Sequence, residues 1–307
     1  MTKACRTIVF SAVVFLLVFS SVVIAEDAES HKKILYFSLS TGFEHTTVKS
    51  QDGKPSVSDL AITKVCKPKG IEVVCTKDGS VFDGDLSSYG AFIFQTSGEL
   101  VRGTEANPEW ALTPKGWSNL LKEIRSGKGL LAFHPTTDSN RVDGPQYVNT
   151  YVNSPEETVT EFTRVLGAAF TIHGPQQQAT IRVVEPSPFA WLTGKGKSFR
   201  MFDEWYVHKN FNKDIHVFAI LETEGMTGKM YDRPPCPIVW GRNEHKGRVL
   251  YSAFGHLDGY WQNDDNMLFV LELIQCALGE KEVDLTPNMH GVTPGATILL
   301  RPEGNDH

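Results

Sequence analysis

Several signatures that would announce a chemistry are missing from this sequence. Its 307 residues include five cysteines, and no two form a Cys-x-x-Cys, which excludes a zinc ribbon and a thioredoxin-like redox pair. No His-Glu-x-x-His or other close-spaced ligand motif is present, so no metal or other cofactor is called for by spacing. No Gly-x-Ser-x-Gly elbow occurs, and none of the cysteines after the first 25 residues lies at a strand-to-helix turn, so an acyl-enzyme route lacks a nucleophile. Gly196-Lys197-Ser198 resembles the end of a phosphate loop, but the glycine required five residues earlier is Trp191. Long basic runs are absent and the formal charge is −6, which excludes nucleic acid as a partner, because phosphate binding needs a basic footprint.

Only one long apolar run exists. Lys3 and Arg6 precede an uncharged stretch from Ile8 to Ile24, and Val23-Ile24-Ala25 before Glu26 and Asp27 fits a small-x-small cleavage site. Residues 1–25 are therefore expected to be a signal peptide, the rival being an uncleaved anchor. Cleavage leaves an exported protein, periplasmic or extracellular, with no stable membrane anchor. It also removes Lys3 and Arg6 and takes the charge to −8. Cys66, Cys75, Cys236 and Cys276 remain, and an oxidising compartment permits disulfides, Cys66 and Cys75 being nearest in sequence. With 41% hydrophobic and 21% charged residues, the rest is ordinary globular chain able to bury a sizeable core. It is expected as one α/β domain over 26–280, with 281–307 a loose tail.

Strands and helices alternate through the first half. Lys33–Ser40, Ile71–Thr76, Ala91–Thr96 and Leu130–Phe133 read as strands, and helices are expected over Ser56–Lys67 and from Thr113-Pro114 to Gly127. In the first helix Val57, Leu60, Ala61, Lys64 and Val65 form the inward stripe. That order predicts a doubly wound, mostly parallel, flavodoxin-like sheet in a three-layer sandwich. A helix is expected over Pro155–Leu166 and strands over Thr180–Glu185, Val217–Thr223, Pro237–Arg242 and Arg248–Phe254, the last two as an antiparallel hairpin. The closing helix runs Asp264–Gly279, capped by Asp264 or Asp265, with Leu268 among its buried residues.

Three strands end in histidine. Gly42-Phe43-Glu44-His45 follows the first, Leu130-Leu131-Ala132-Phe133 runs into His134-Pro135-Thr136-Thr137-Asp138, and the last strand exits into Gly255-His256. Ligands in open α/β sheets bind beyond the carboxyl ends of the strands, so these histidines are expected at one edge. Asp203 and Glu204, among Phe202, Trp205 and Tyr206, supply carboxylates. Histidine exchanges protons near neutral pH, and a glutamate among aromatic rings is expected to have a raised pKa and act as acid or base. Metal ligation is the rival use of the same residues, since catalytic sites accept ligands far apart in sequence. Trp205, Tyr206, Tyr260 and Trp261 offer faces on which sugar rings stack, although core packing is the commoner fate of aromatics.

Taken together, GFEH at Gly42–His45, LLAFHPTTD at Leu130–Asp138, IHGP at Ile172–Pro175, DEWY at Asp203–Tyr206, PIVW at Pro237–Trp240 and GRVLYSAFGH at Gly247–His256 resemble the trehalose-utilisation (ThuA-like) family, over roughly Lys33 to Gly279. The resemblance implies a class I glutamine amidotransferase-like sandwich without its catalytic cysteine. It also implies a small-molecule carbohydrate ligand, trehalose or a related disaccharide, and functional pairing with a sugar dehydrogenase that makes 3-keto sugars. Carried over by motif, His134, Glu204, Asp203 and His256 are the catalytic residues, with His45, Thr136, Asp138, His173, Trp205 and Tyr206 binding substrate. The family's usual turn is HAATD, and Pro135-Thr136 departs from it. A non-catalytic carbohydrate-binding protein and a metal-dependent hydrolase stand as alternatives.

Overall fold

The computed structural model describes Met1 and residues 32–50, 53–101, 112–141 and 153–297. The expected signal peptide lies outside them, as does most of the loop after Asn140. In chain order the elements are β1 (Lys33–Phe37), α1 (Val57–Cys66), β2 (Glu72–Thr76), β3 (Ala91–Phe94), α2 (Pro114–Ser126), β4 (Gly129–Phe133), α3 (Glu161–Leu166), β5 (Ala169–His173), β6 (Gln177–Val183), α4 (Ala190–Gly194), β7 (Ser198–Asp203), β8 (Tyr206–Lys209), β9 (His216–Glu222), β10 (Cys236–Glu244), β11 (Gly247–Ser252), α5 (Asp258–Trp261), α6 (Asp264–Leu278) and α7 (Met289–Val292). Among the described residues no helix is long and apolar enough to cross a membrane.

Among the described residues, nine strands form one mixed sheet in the order β2-β1-β3-β4-β11-β10-β9-β6-β7, and β5 and β8 form a second, two-stranded one. From β2 to β11 every pairing is parallel, in the flavodoxin-type order. Beyond β11 every pairing is antiparallel. The α/β class is therefore as the sequence implies, with the antiparallel share larger than a few additions.

Alternation along β1 explains the layers. Tyr36 points to one face, where its hydroxyl donates to Gln95 Oε1 (2.6 Å) and lies 2.7 Å from Ser58 Oγ of α1. Phe37 points to the other, edge-on to Phe82 at 5.1 Å, and Phe82 lies against Gly116 of α2. α6 packs beside α1, completing that layer.

Local chemistry sets the helix ends. Thr113 caps α2 by accepting from Gly116 N (2.9 Å), with Pro114 at the first position, and Ser56 and Asp59 form a capping box on α1. α6 is capped by Asn263 rather than Asp264 or Asp265, its side chain accepting from the amides of Asp265 and Asn266. The expected helix over Pro155–Leu166 is two pieces, a 3-10 turn at Glu156–Thr158 and α3, because Thr160 turns its hydroxyl to cap the second at Thr163 N. On α1 the buried set is Ser58, Asp59, Ala61, Ile62 and Cys66, not the stripe through Leu60. The polar side chains Ser58 and Asp59 face inward because Tyr36 and the capping box give them partners. Leu60 and Leu268 are instead exposed, on the walls of a groove of about 620 Å³ between α1 and α6.

One further expectation changes, and the cysteine question the sequence left open is answered. Residues 281–297 are not loose: Leu285, Met289 and Ala296 are buried, Asn288 accepts from Val217 N (2.7 Å), and Arg233 donates to Ala296 O (2.7 Å). All four described cysteines are free thiols, so Cys66 and Cys75 are not paired.

Candidate functional site

The crevice between β1 and β3, where strand order reverses, is the usual place for a ligand in this topology. Here it is closed. Ser40 bridges Ser97, Thr41 N donates to Ser97 O (2.9 Å), and Gly98 has a φ of +83° with its Cα facing the Gly42 amide so closely that a Cβ would overlap it. The polar centre sits instead above β4 and β11, where the expected histidines meet.

His134 begins the 3-10 turn His134–Asp138 with a φ of +22°. This is a strained backbone for a residue bearing a Cβ, of the kind that costs roughly 1–3 kcal/mol and is kept where surroundings over-determine it. Those surroundings are visible: Tyr251 donates to His134 O (3.0 Å), and the ring's Nδ1 lies 2.8 Å from Ala253 O. Nδ1 therefore carries a hydrogen, and Nε2 points at the centre. His256 follows Gly255, whose φ of +104° turns the chain against the Trp261 ring. Glu204 arrives where the chain leaves β7 of the large sheet for β8 of the small one.

These residues enclose a small polar volume. Glu204 Oε2 lies 3.1 Å from His256 Nδ1 and 3.5 Å from His134 Nε2, and the two nitrogens are 3.2 Å apart. Glu204 Oε1 lies 3.2 Å from His173 Nδ1. The His45 ring stands edge-on to His134 and His256 at 5.3 and 5.0 Å. One ligand-type atom from each of His45, His134, Glu204 and His256 falls within 4.8 Å of all the others. His134 is fully buried, while His173 is 43% exposed and opens the centre to solvent.

Burial pulls the pKa of His45 down to about 3, helped by the neighbouring His134 and His256, so its ring is neutral. For Glu204, burial pushes upward, but the adjoining His134 and His256 imidazoles outweigh it and hold the carboxyl below the usual range. The expected raised glutamate is thus an ionised one. The carboxyls that are raised are Asp203, by burial, and Asp138, lifted to about 6 by burial against the opposing pull of Arg141 and His134.

The other expected site residues divide. Tyr206 forms the inner wall, 4.1 Å from the His134 ring and stacked with His173. Asp203 is buried with both oxygens taken by backbone amides, Glu204 N (2.9 Å) and Gly255 N (2.9 Å), so it positions the Glu204 and His256 segments. Thr136 is buried, bonded to Phe94 O, Phe133 O and Thr96 N, and ties β4 to β3 without facing the centre. Trp205 is fully buried with Nε1 donating to Gln177 O, and Tyr260 and Trp261 are buried too, so none offers a face to a sugar. Among the described residues, the exposed aromatic beside the centre is Phe43, 69% exposed and edge-on to His45 at 5.0 Å. Sequence reasoning also missed Gln176, whose amide lies 2.9 Å from His256 Nε2, and Tyr231, whose hydroxyl accepts from Gly174 N and donates to Trp205 O. No local pattern marks either residue.

Residues 33–275 match the family model described as ThuA, trehalose utilisation. The chain belongs to the ThuA family. A putative ThuA-like protein from Bacteroides uniformis is similar over 84% of this chain and 96% of its own, with 18% identity and a TM-score of 0.54. One from Parabacteroides merdae covers 82% and 91%, with 12% identity and a TM-score of 0.53. These likenesses show the ThuA fold. No curated protein matches the sequence.

Proposed function

We infer that this ThuA-family chain is an exported carbohydrate-processing enzyme, carrying out proton transfer on a disaccharide, glycoside or 3-keto sugar. The observation that supports this most is the convergence of His45, His134, Glu204 and His256 from four separate strand exits. A packing role does not require four ionisable groups to be brought into one buried volume against their desolvation cost.

Chemically, an ionised Glu204 accepts a hydrogen bond from a substrate hydroxyl, while a flanking imidazole N–H donates to a hydroxyl or carbonyl oxygen. His173 bridges Glu204 and solvent, so a proton leaves or arrives through it. Exposed Phe43 presents an apolar face beside His45 for a sugar ring. Export rests on the pattern of residues 1–25, and the 3-keto sugars would come from a dehydrogenase acting before it.

The test is turnover of a panel of disaccharides and their 3-keto forms by the purified chain, with product analysis. Glu204→Gln and His173→Ala are each expected to lower kcat at least about 100-fold. Unchanged turnover in both variants overturns the reading. Sugar binding in calorimetry with no product at any pH assigns the chain to non-catalytic carbohydrate binding instead.

A further inference from the structure

We propose that His45, His134, Glu204 and His256 bind a single divalent transition-metal ion of the zinc type. This deepens the carbohydrate reading, on which it rests for the use made of the ion, and its test needs no sugar.

Three atoms set the geometry. Glu204 Oε2, His134 Nε2 and His256 Nδ1 form a triangle with edges of 3.1, 3.2 and 3.5 Å. The point equidistant from its corners is about 1.9 Å from each, and zinc bonds to nitrogen and oxygen are about 2.0–2.2 Å. An ion at about 2.1 Å from all three therefore sits just under 1 Å out of their plane, with room for further ligands on the open side. A ring nitrogen of His45 lies within 4.8 Å of all three atoms, and its Nδ1 is buried without a hydrogen-bond partner among the described residues. Three imidazoles and one carboxylate suit zinc and its neighbours in the transition series, not the all-oxygen preference of calcium or magnesium.

Hydrogen bonding can join His256 to each of its two neighbours but leaves His134 and Glu204 unjoined. His134 gives its Nδ1 hydrogen to Ala253 O, so a neutral ring turns a lone pair at Nε2 toward His256 Nδ1 and Glu204 Oε2. The 3.5 Å separation from Glu204 is beyond the usual range for an N–H···O bond. An ion accepts these lone pairs together.

The partners of the ligands fit as well. A metal-bound histidine typically donates its other ring nitrogen to a carbonyl, carboxylate or water. His134 does so to Ala253 O, and His256 Nε2 faces the Gln176 amide, which can present its oxygen. Asp203 holds the backbone of Glu204 and Gly255 in place. In the sugar reaction such an ion polarises the substrate's carbonyl or hydroxyl oxygen as a Lewis acid.

The experiment uses the full untagged chain. Metal content is measured as purified, the ion is stripped with a chelator, and Zn2+ and Co2+ are titrated back by calorimetry and visible absorption. About one ion per chain is expected, with the intense d–d absorption of a four- or five-coordinate Co2+ site. His256→Gln and Glu204→Ala are expected to weaken binding by about 100-fold or more. A folded, stripped chain that binds neither ion at micromolar concentration overturns the proposal. So does binding unchanged in both variants, which puts the ion elsewhere. Should the variants not fold, the wild-type cobalt spectrum decides, a six-coordinate aqua-like spectrum overturning the site. An ion that binds as described in a chain that turns over no sugar refutes the carbohydrate reading alone. Full sugar turnover by an ion-free chain refutes the catalytic use of the ion and leaves the carbohydrate reading standing.

Discussion

Asp138 shows how burial and charge compete at one residue. Its carboxyl pairs with Arg141 at 3.0 Å, which alone would lower its pKa, yet burial lifts it to about 6. An unfolded aspartate titrates near 3.9. Between those values the folded state keeps a proton that the unfolded state has lost, so stability falls as pH rises through the window, and the penalty remains above it. Asp138→Asn removes this, and is expected to gain on the order of 1–3 kcal/mol relative to wild type at pH 7 over pH 4. Urea midpoints of both proteins at the two pH values check it, and parallel pH profiles contradict it. The sequence placed Asp138 at the site but not its pKa, which depends on how much protein covers the group.

At the scale of elements, the strand exits do more than carry histidines. The closed crevice between β1 and β3 depends on Gly98, where a side chain would need both a left-handed φ and space held by the Gly42 backbone. Gly98→Ala is expected to cost about 2 kcal/mol or more and to disturb the loop that carries His45. A thermal melt with an unshifted midpoint refutes this. The cap of α2 was legible because capping is local, written in Thr113 and Pro114. Strands β7 and β8 escaped notice because their residues are mixed in character and their partners lie far along the chain.

For the molecule as a whole, the antiparallel half of the sheet supplies Glu204 and the last turns of chain support that half. Asn288 bonds to β9, Arg233 reaches Ala296 O, and Leu285 lies over Gly241 of β10. Ending the chain at residue 280 exposes the surface that Leu285 and Met289 cover, and is expected to cost about 3 kcal/mol or more at roughly 1.5–3 kcal/mol per buried side chain. Chemical denaturation of the truncated chain measures it, and an unchanged midpoint would show that the segment only rests on the surface.

The family, the parallel half of the fold and the three histidine-bearing exits were set by local pattern, since apolar runs, glycine turns and caps act over a few residues. The sequence alone also placed Glu204 among the site residues, though with the wrong ionisation. Only the tertiary structure decided that Glu204, His45, His134 and His256 share one buried volume, that Asp203 positions it while Thr136 and Trp205 bond elsewhere, and that Phe43 is the aromatic face left open among the described residues. Those outcomes rest on distances between residues as far apart in the chain as His45 and His256, and on burial. Both are properties of the packed chain, and no stretch of it carries them alone.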